Sequence, residues 1–368
     1  MAAALTVIVV ASVLYLRANA PSPRVILQGA PPVPELASKY TTRYEFVSPE
    51  VGWAAVAQYL DQQRFWIFRT TDGARHWEKR FSGATQQGAP LLLQFFDRDR
   101  GFVLLDRVYR TTDGGSHWDV ISVPDQAPDF GFVDPDRGWA LDLGHVYSTV
   151  DGGMTWRTAG IVPGPADYGG KGGLMSLNFR PDGEGWIGAT AESPLVYKTI
   201  DGGASWTAVQ LPPLPSGQPT GKGFPSATPM FHTSVLLSPG NGVVAFDYGD
   251  FGDGQAYVSF DAGRTWRPIT APTDRWFSDG LSFVDARHWW WASSGSLFTT
   301  SDAGQSWTYV VTTSPDQMSD WGLGLATPID ARHGWCVTTA PGRTAGSGLA
   351  MSSDGGRHWS PANVPKPG

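Results

Sequence analysis

The chain has 368 residues and a formal net charge of −7, with 41% hydrophobic and 17% charged residues. The negative charge argues against nonspecific binding to nucleic acid, because phosphate backbones attract basic surfaces. The single cysteine, Cys336, excludes a disulfide framework or a cysteine-based zinc site within one chain. We therefore expect neither a nucleic-acid partner nor a cofactor, and we expect Cys336 to be a small buried apolar residue.

The N-terminal segment differs from the rest of the chain. Residues 1–16 are almost wholly apolar, and Arg17 ends the run. This run is shorter than the roughly 20 residues that a membrane-spanning helix needs, and it suits the apolar core of a signal peptide. The small residues up to Ala20 resemble a cleavage site. We expect residues 1–20 to be a signal peptide or membrane anchor, residues 21–41 to be a proline-rich linker, and the protein to be exported and extracytoplasmic. The alternative is that the apolar run is a buried strand of the domain that follows.

An eight-residue phrase, Ser/Thr-x-Asp-x-Gly-x-x-Trp, returns seven times at intervals of 38 to 60 residues. Its aspartates are Asp72, Asp113, Asp151, Asp201, Asp261, Asp302 and Asp354. The Asp side chain can accept hydrogen bonds from backbone N–H groups a residue or two further on, while the Ser or Thr hydroxyl closes the turn. The Gly supplies a positive φ, and the Trp begins the next strand. We interpret each copy, an Asp box, as a structural turn between two strands. Ala74 replaces the Gly in the first copy, so that turn is either strained or relaxed.

A second motif, Phe-x-Asp-x-x-x-Gly-Trp, precedes each Asp box with local departures, and Phe132 to Trp139 is an intact copy. It predicts a strand, a turn and a second strand, so each unit contains four strands, which we label A to D. Four-stranded units that repeat at intervals of this length indicate propeller blades. The sequence therefore predicts an all-β fold, a seven-bladed β-propeller of four-stranded antiparallel blades, over residues 42–365. We expect the ring to close by apposition of blades 1 and 7, where residues Val25 to Leu27 could add a strand.

The A–B turns and the Asp boxes should share one face of the ring, and the D–A and B–C connections should share the other. The A–B turns carry arginines, among them Arg98, Arg100, Arg137, Arg287 and Arg332. Gathered on one face, these side chains could bind an acidic partner or a chain carboxylate. The alternative is that they pair with acidic residues of the same turns.

Seventeen tryptophans are present, and the two motifs account for twelve of them as packing residues between blades. Trp276 and Trp321 are not explained by the repeat, and they lie in D–A connections beside Asp279 and Asp320. An exposed aromatic side chain next to a carboxylate suits contact with a ligand or partner. The alternative is that both tryptophans plug the ring.

Three aspartates, Asp247, Asp250 and Asp253, lie in the B–C connection of blade 5. Their charge suits calcium, but their spacing does not follow the alternate-residue ligand pattern of an EF-hand loop. We expect an acidic turn there and no metal site.

The paired motifs resemble those of the photosystem II assembly and stability factors and their Asp-box relatives in bacteria. The resemblance implies a non-enzymatic seven-bladed propeller outside the cytoplasm that binds membrane-protein assembly partners. In that family an arginine-rich surface is linked to partner binding, and the A–B arginines match it by type and placement. We therefore expect a monomeric protein-binding scaffold without catalytic residues. Its expected partner-binding residues are the five arginines together with Trp276, Asp279, Asp320 and Trp321.

The alternative function is a carbohydrate-active one. Sialidases and other glycoside hydrolases also carry Asp boxes, but the boxes lie away from their active sites and so do not favour catalysis. The Arg-Ile-Pro element of sialidases is missing here, sialidase rings have six blades, and propeller xyloglucanases use two seven-bladed domains. Hydrolysis by two carboxylates remains open for Asp279 and Asp320. An exported glycan-binding module is a further alternative that the sequence does not separate from the scaffold.

Overall fold

The chain is built almost entirely from short antiparallel strands. A computed structural model describes residues 40–58, 63–85, 92–105, 107–124, 129–163, 173–191, 194–212, 231–249, 254–269, 272, 281–293, 296–310, 322–339 and 348–367. These residues form 28 β-strands. Successive groups of four strands make the blades.

The first four blades cover the N-terminal half of the ring. Blade 1 consists of β1 (Tyr40–Phe46), β2 (Gly52–Gln58), β3 (Gln63–Thr70) and β4 (Glu78–Thr85). Blade 2 consists of β5 (Leu92–Phe95), β6 (Gly101–Leu104), β7 (Val108–Thr111) and β8 (Asp119–Ile121). Blade 3 consists of β9 (Asp129–Phe132), β10 (Gly138–Asp142), β11 (His145–Thr149) and β12 (Arg157–Ile161). Blade 4 consists of β13 (Gly173–Phe179), β14 (Gly185–Ala191), β15 (Leu195–Thr199) and β16 (Thr207–Gln210).

Three further blades complete the ring. Blade 5 consists of β17 (Phe231–Ser238), β18 (Gly242–Gly249), β19 (Gly254–Ser259) and β20 (Arg267–Ile269). Blade 6 consists of β21 (Leu281–Phe283), β22 (Trp289–Ser293), β23 (Ser296–Thr300) and β24 (Thr308–Tyr309). Blade 7 consists of β25 (Gly322–Pro328), β26 (Gly334–Thr339), β27 (Gly348–Ser352) and β28 (Ser360–Ala362).

Within each blade the strands pair in chain order, and every pair is antiparallel. The predicted seven-bladed propeller of four-stranded blades is therefore confirmed. Blades 4 and 5 are also joined through their backbones, because the end of β14 pairs with the start of β17 at Thr190–His232 and Ala191–Phe231. The A strands of blades 1 and 2, 3 and 4, 4 and 5, and 6 and 7 contact one another, as expected for the innermost strands of a propeller.

The B strands form the buried middle of each blade. Residues along β2 and β14 are buried on both faces of the sheet, whereas β12 and β16 are largely exposed. A strand that is buried on both faces has apolar residues at consecutive positions rather than at alternate ones. The three consecutive tryptophans of β22 show the consequence: Trp290 packs against blade 7, while Trp289 and Trp291 face the opposite side and pack against blade 5.

The hydrophobic core is divided into seven clusters, and each lies between two neighbouring blades. In three clusters an aromatic side chain of a B strand stacks on the motif Phe of the next blade. The stacked pairs, with their centroid distances, are Trp53–Phe95 at 3.7 Å, Phe102–Phe132 at 3.8 Å and Trp139–Phe179 at 4.1 Å. The motif aromatics therefore pack blade against blade, as the repeat predicts.

Cys336 lies fully buried in the cluster between blades 6 and 7, as expected from the sequence. Burial raises the pKa of its thiol. The side chain therefore acts as a small apolar packing residue.

Blade 7 closes the ring by packing directly against blade 1. Trp335 and Leu349 share a cluster with Tyr44 and Phe46. The chain that follows β28 then fastens the first Asp box: the Asn363 amide N–H bonds to the Ala74 carbonyl at 3.2 Å, and the Asn363 carbonyl accepts from Trp77 Nε1 at 2.7 Å. The side chain of the next residue, Val364, is buried in the same cluster. The expected closure by apposition is thus observed.

Truncation after Ala362 should lower the free energy of unfolding by about 3 kcal/mol or more. The loss combines one buried valine with several hydrogen bonds between the C-terminal segment and the first box. Truncation after Pro365 keeps both and should change stability by less than about 0.5 kcal/mol. Urea unfolding of the two proteins measures the difference. Equal stability of the two truncated proteins would show that residues 363 to 365 do not hold the ring closed.

Candidate functional site

Each Asp box is a closed hydrogen-bond network. In blade 4, Thr199 Oγ1 donates to Asp201 Oδ1 at 2.6 Å and accepts from the Gly203 N–H at 3.0 Å. Asp201 also accepts from the N–H and the hydroxyl of Ser205 at 2.9 and 2.5 Å. The other six boxes repeat the network, with His in place of the hydroxyl donor in boxes 1, 2 and 7. The expected bond to an N–H one or two residues further on was wrong, because the donor N–H groups lie three or four residues on.

The network holds two consecutive residues of each box in the left-handed region. In box 4 these are Gly202 and Gly203, with φ values of 72° and 97°. Ala74 occupies the second of these positions in box 1 with a φ of 63°, so that turn keeps the strained conformation rather than relaxing. Ala262 and Ala303 occupy the first position in boxes 5 and 6 in the same way.

The boxes are fastened to the A–B turns. In six blades a box N–H donates to the carbonyl two residues before the B strand. These bonds are Gly73–Glu50 at 2.9 Å, Gly114–Asp99 at 2.8 Å, Gly152–Asp136 at 2.7 Å, Gly202–Gly183 at 3.1 Å, Ala303–Arg287 at 3.0 Å and Gly355–Arg332 at 2.7 Å. The boxes and the A–B turns therefore share one face, as expected. We call it the box face, and we call the six residues that supply these carbonyls the rim positions.

Three of the five predicted arginines pair within their own turns. Arg100 bonds to Asp97 at 2.7 Å, and Arg137 bonds to Asp134 at 2.6 Å. Arg98 lies 3.7 Å from the carboxylate of Asp99. The alternative of local pairing therefore describes the arginines of blades 2 and 3.

The other two predicted arginines, Arg287 and Arg332, do not pair with the aspartate of their own turn. Arg287 and Arg332 are exposed, and neither guanidinium forms an ion pair among the described residues. The turn aspartates instead contact histidines, with Nδ1 of His288 2.8 Å from Asp285 and Nδ1 of His333 2.8 Å from Asp330. Both turns read Asp-Ala-Arg-His, which puts His where blades 2 and 3 have the paired Arg.

The charge at the rim positions divides the box face. Blades 1 to 3 carry Glu50, Asp99 and Asp136 there, and blades 6 and 7 carry Arg287 and Arg332. Arginines of the preceding blades lie beside two of these acidic residues and offset part of their charge. Arg69 lies 3.6 Å from Asp99, and Arg110 lies 3.3 Å from Asp136.

The arginine rim positions have no such compensation. Val258 and Thr299 occupy, in blades 5 and 6, the position that Arg69 and Arg110 occupy in blades 1 and 2. Neither side chain can carry a negative charge. Arg287 and Arg332 therefore present two positive charges at equivalent positions of neighbouring blades.

The inner strands carry polar side chains that the repeat does not predict. Each joins its own A strand to the A strand of the next blade. The bonds are Phe95 N–H to Glu45 at 3.0 Å, Gln94 Nε2 to the Phe132 carbonyl at 2.7 Å, Leu177 N–H to Asp129, and Asn178 Nδ2 to the Val235 carbonyl at 2.8 Å. Burial raises the pKa of Glu45 to about 8. The sequence marks these bonds by nothing more than a polar residue in an A strand.

Several predicted positions lie outside the described residues. They are Trp276, Asp279, Asp320, Trp321, Asp250, Asp253, the side chain of Asp247, and residues 1–39 with the suggested strand Val25 to Leu27. In the part of the chain that is described, no three His, Cys, Asp or Glu side chains are grouped to hold a metal ion. No helix in that same part has the length and apolar character needed to cross a membrane.

Comparison with known proteins agrees with this architecture. The family model for photosynthesis system II assembly factor YCF48 matches residues 115–222. The structure of YCF48 bound to D1 peptide aligns with a TM-score of 0.54 at 16% identity, covering 88% of this chain and 99% of that chain. YCF48 from Cyanidioschyzon merolae aligns with a TM-score of 0.53 at 15% identity, covering 92% and 97%. The chain is a BNR-like propeller that resembles photosystem II assembly factors.

This BNR-like propeller is also similar to an enzyme. The GH74 enzyme of Niastella koreensis aligns with a TM-score of 0.54 at 15% identity, covering 93% of this chain and 55% of the enzyme. At such low identity these structural likenesses show the fold alone. The comparison with curated proteins gave no match.

The box carboxylates should make stability depend on acid pH. Hydrogen bonds from the Ser205 and Thr199 hydroxyls lower the pKa of Asp201 to about 2. The pKa values of five further box aspartates are also lowered to about 2: Asp72, Asp113, Asp151, Asp261 and Asp302. Because these values lie below the unfolded value of about 3.9, the stability they contribute is present above pH 4 or so and is lost as the pH falls through about 2.

Thermal unfolding between about pH 5 and pH 2 tests this expectation. The midpoint temperature should fall steeply below about pH 4 in the parent chain and less steeply in Asp201→Asn. The matched control is Asp119→Asn, which changes an exposed aspartate outside the boxes. An unchanged pH slope in Asp201→Asn would contradict the assignment.

Proposed function

We propose that the chain is an exported, non-catalytic scaffold that binds a protein partner through Arg287 and Arg332. The observation that carries the proposal is the presence of these two uncompensated guanidinium groups at equivalent rim positions of adjacent blades. Guanidinium groups pair with carboxylates through two parallel hydrogen bonds, so the partner segment is acidic or ends in a chain carboxylate. Of the five arginines predicted to bind the partner, the proposal retains two.

The structure of the ring favours recognition rather than simple charge attraction. The A–B turns that carry both arginines are fixed by backbone bonds from their Asp boxes, so little ordering of the turns is needed on binding. The acidic rim positions of blades 2 and 3, Asp99 and Asp136, pair with Arg69 and Arg110, so no free guanidinium group at those two rim positions competes for an acidic segment. An acidic partner is therefore oriented towards blades 6 and 7.

One of the comparisons supports a peptide or protein partner. The related structure is of YCF48 bound to D1 peptide, so a propeller of similar fold binds a peptide. By the same resemblance we propose a membrane-protein assembly partner for this chain. We also propose that it acts outside the cytoplasm as a monomer, with residues 1–20 as its signal peptide or anchor.

Charge reversal tests the role of the two arginines. The double variant Arg287→Glu and Arg332→Glu should reduce capture of the partner from detergent-solubilised membranes. Each lost charge-assisted hydrogen bond costs about 1.5–3 kcal/mol, so we expect at least about a hundredfold loss of affinity. Quantitative mass spectrometry of the captured proteins measures the change.

The matched control is Arg100→Glu with Arg137→Glu. It makes the same change of net charge on the same face, but at arginines that are already paired. We expect this control to keep the partner. Identical sets of captured proteins from both double variants would contradict the proposal. Hydrolysis of aryl glycosides or sialosides that is lost in Asp279→Asn would favour the carbohydrate-active alternative instead.

A further inference from the structure

A cavity of about 450 Å³ lies between the inner strands of blades 2, 3 and 4. Its walls come mainly from β5, β9 and β13. The volume is within the range of small-molecule sites, which is roughly 300 to 1,000 Å³. We call it the inner pocket. None of the arginines on the box face lines it.

The inner pocket has a rigid aromatic lining. Phe102 and Phe132 stack at 3.8 Å, and Trp139 and Phe179 stack at 4.1 Å, and all four residues line the pocket. Because these pairs also join blade 2 to blade 3 and blade 3 to blade 4, the pocket cannot collapse without opening the blade interfaces. It is therefore suited to an apolar group.

Most polar groups of the inner pocket are already bonded. Gln94 Nε2 donates to the Phe132 carbonyl at 2.7 Å, and its Oε1 lies 3.4 Å from the Phe132 N–H. A β-bulge in β13 gives Ser176 a φ of 38° and brings its Oγ to accept from the Val235 N–H at 2.9 Å. Asn178 Nδ2 donates to the Val235 carbonyl.

Two side-chain oxygen atoms of the inner pocket receive no hydrogen bond from the described residues. Asp129 Oδ2 accepts from the Leu177 N–H, but no hydrogen bond reaches Asp129 Oδ1 or Asn178 Oδ1 from the described residues. Among the described residues, those that line the pocket include this one carboxylate and no Lys, Arg or His. Burial raises the pKa of Asp129, as is usual for a carboxylate without a cation beside it. A ligand that fits here must bring hydrogen-bond donors and positive charge.

We propose that the inner pocket binds an organic cation, a protonated amine on an apolar stem, with Asp129 as its counter-charge. The ammonium group donates to Asp129 Oδ1 and Asn178 Oδ1, which receive no hydrogen bond from the described residues. The apolar stem lies against the stacked aromatic pairs. Pairing with the cation stabilises the charged form of the buried carboxylate.

Calorimetric titration with phenethylamine, at about pH 8, where amines of this kind are protonated, tests the proposal. Phenethyl alcohol is the neutral comparison, since it has the same stem and nearly the same size. The parent chain should bind the amine at least about tenfold more tightly than the alcohol, because hydrogen bonds to charged groups are the stronger ones. Asp129→Asn should lose this preference while still accepting the Leu177 N–H.

Glu45→Gln is the matched control, because Glu45 bonds to a neighbouring A strand in the same way but does not line the pocket. It should keep the preference for the amine, and so should the double variant of Arg287 and Arg332. Equal binding of amine and alcohol by the parent chain, or no binding of the amine, would overturn the proposal. A preference that persists in Asp129→Asn would overturn it as well. None of these outcomes depends on the partner that the box face binds.

Discussion

The hydrogen bond between an Asp box and the A–B turn of its own blade fixes the box face of this propeller. It exists because a Ser or Thr hydroxyl and an Asp carboxylate hold two residues of the box in the left-handed region, as at Gly202 and Gly203. The first of these residues then donates its N–H to a rim carbonyl. Without the box, the rim residue would sit on an ordinary mobile loop. The Asp box is thus a structural element that positions a neighbouring rim residue.

The ring makes that positioning rigid. Each blade buries its apolar faces only against its neighbours, and aromatic stacks such as Trp53–Phe95 cross the interfaces. The C-terminal segment completes the last interface by bonding to the first box through Asn363. One face then presents fixed charges at its rim, while the inner strands enclose a pocket. Two kinds of recognition can therefore use separate parts of one framework.

The sequence was sufficient for the architecture, because the two motifs recur in every unit and each recurring residue has a local structural role. The sequence was not sufficient to show which of the five arginines are paired, because pairing depends on the position that an arginine occupies in its turn. The difference between Asp-x-x-Arg and Asp-Ala-Arg-His is visible in the sequence, yet its meaning appears only once Asp134 and Asp285 are seen with their partners. The bonds between inner strands, such as the one at Asp129, follow no repeat and needed the fold.

The rate at which phenylglyoxal modifies individual arginines distinguishes free guanidinium groups from paired ones. Peptide mass spectrometry after brief treatment of the folded protein gives this rate for each side chain. Arg287 and Arg332 should be modified several times faster than Arg100 and Arg137, whose guanidinium groups are held by Asp97 and Asp134. Modification of all four at the same rate would contradict the presence of two uncompensated charges on the box face.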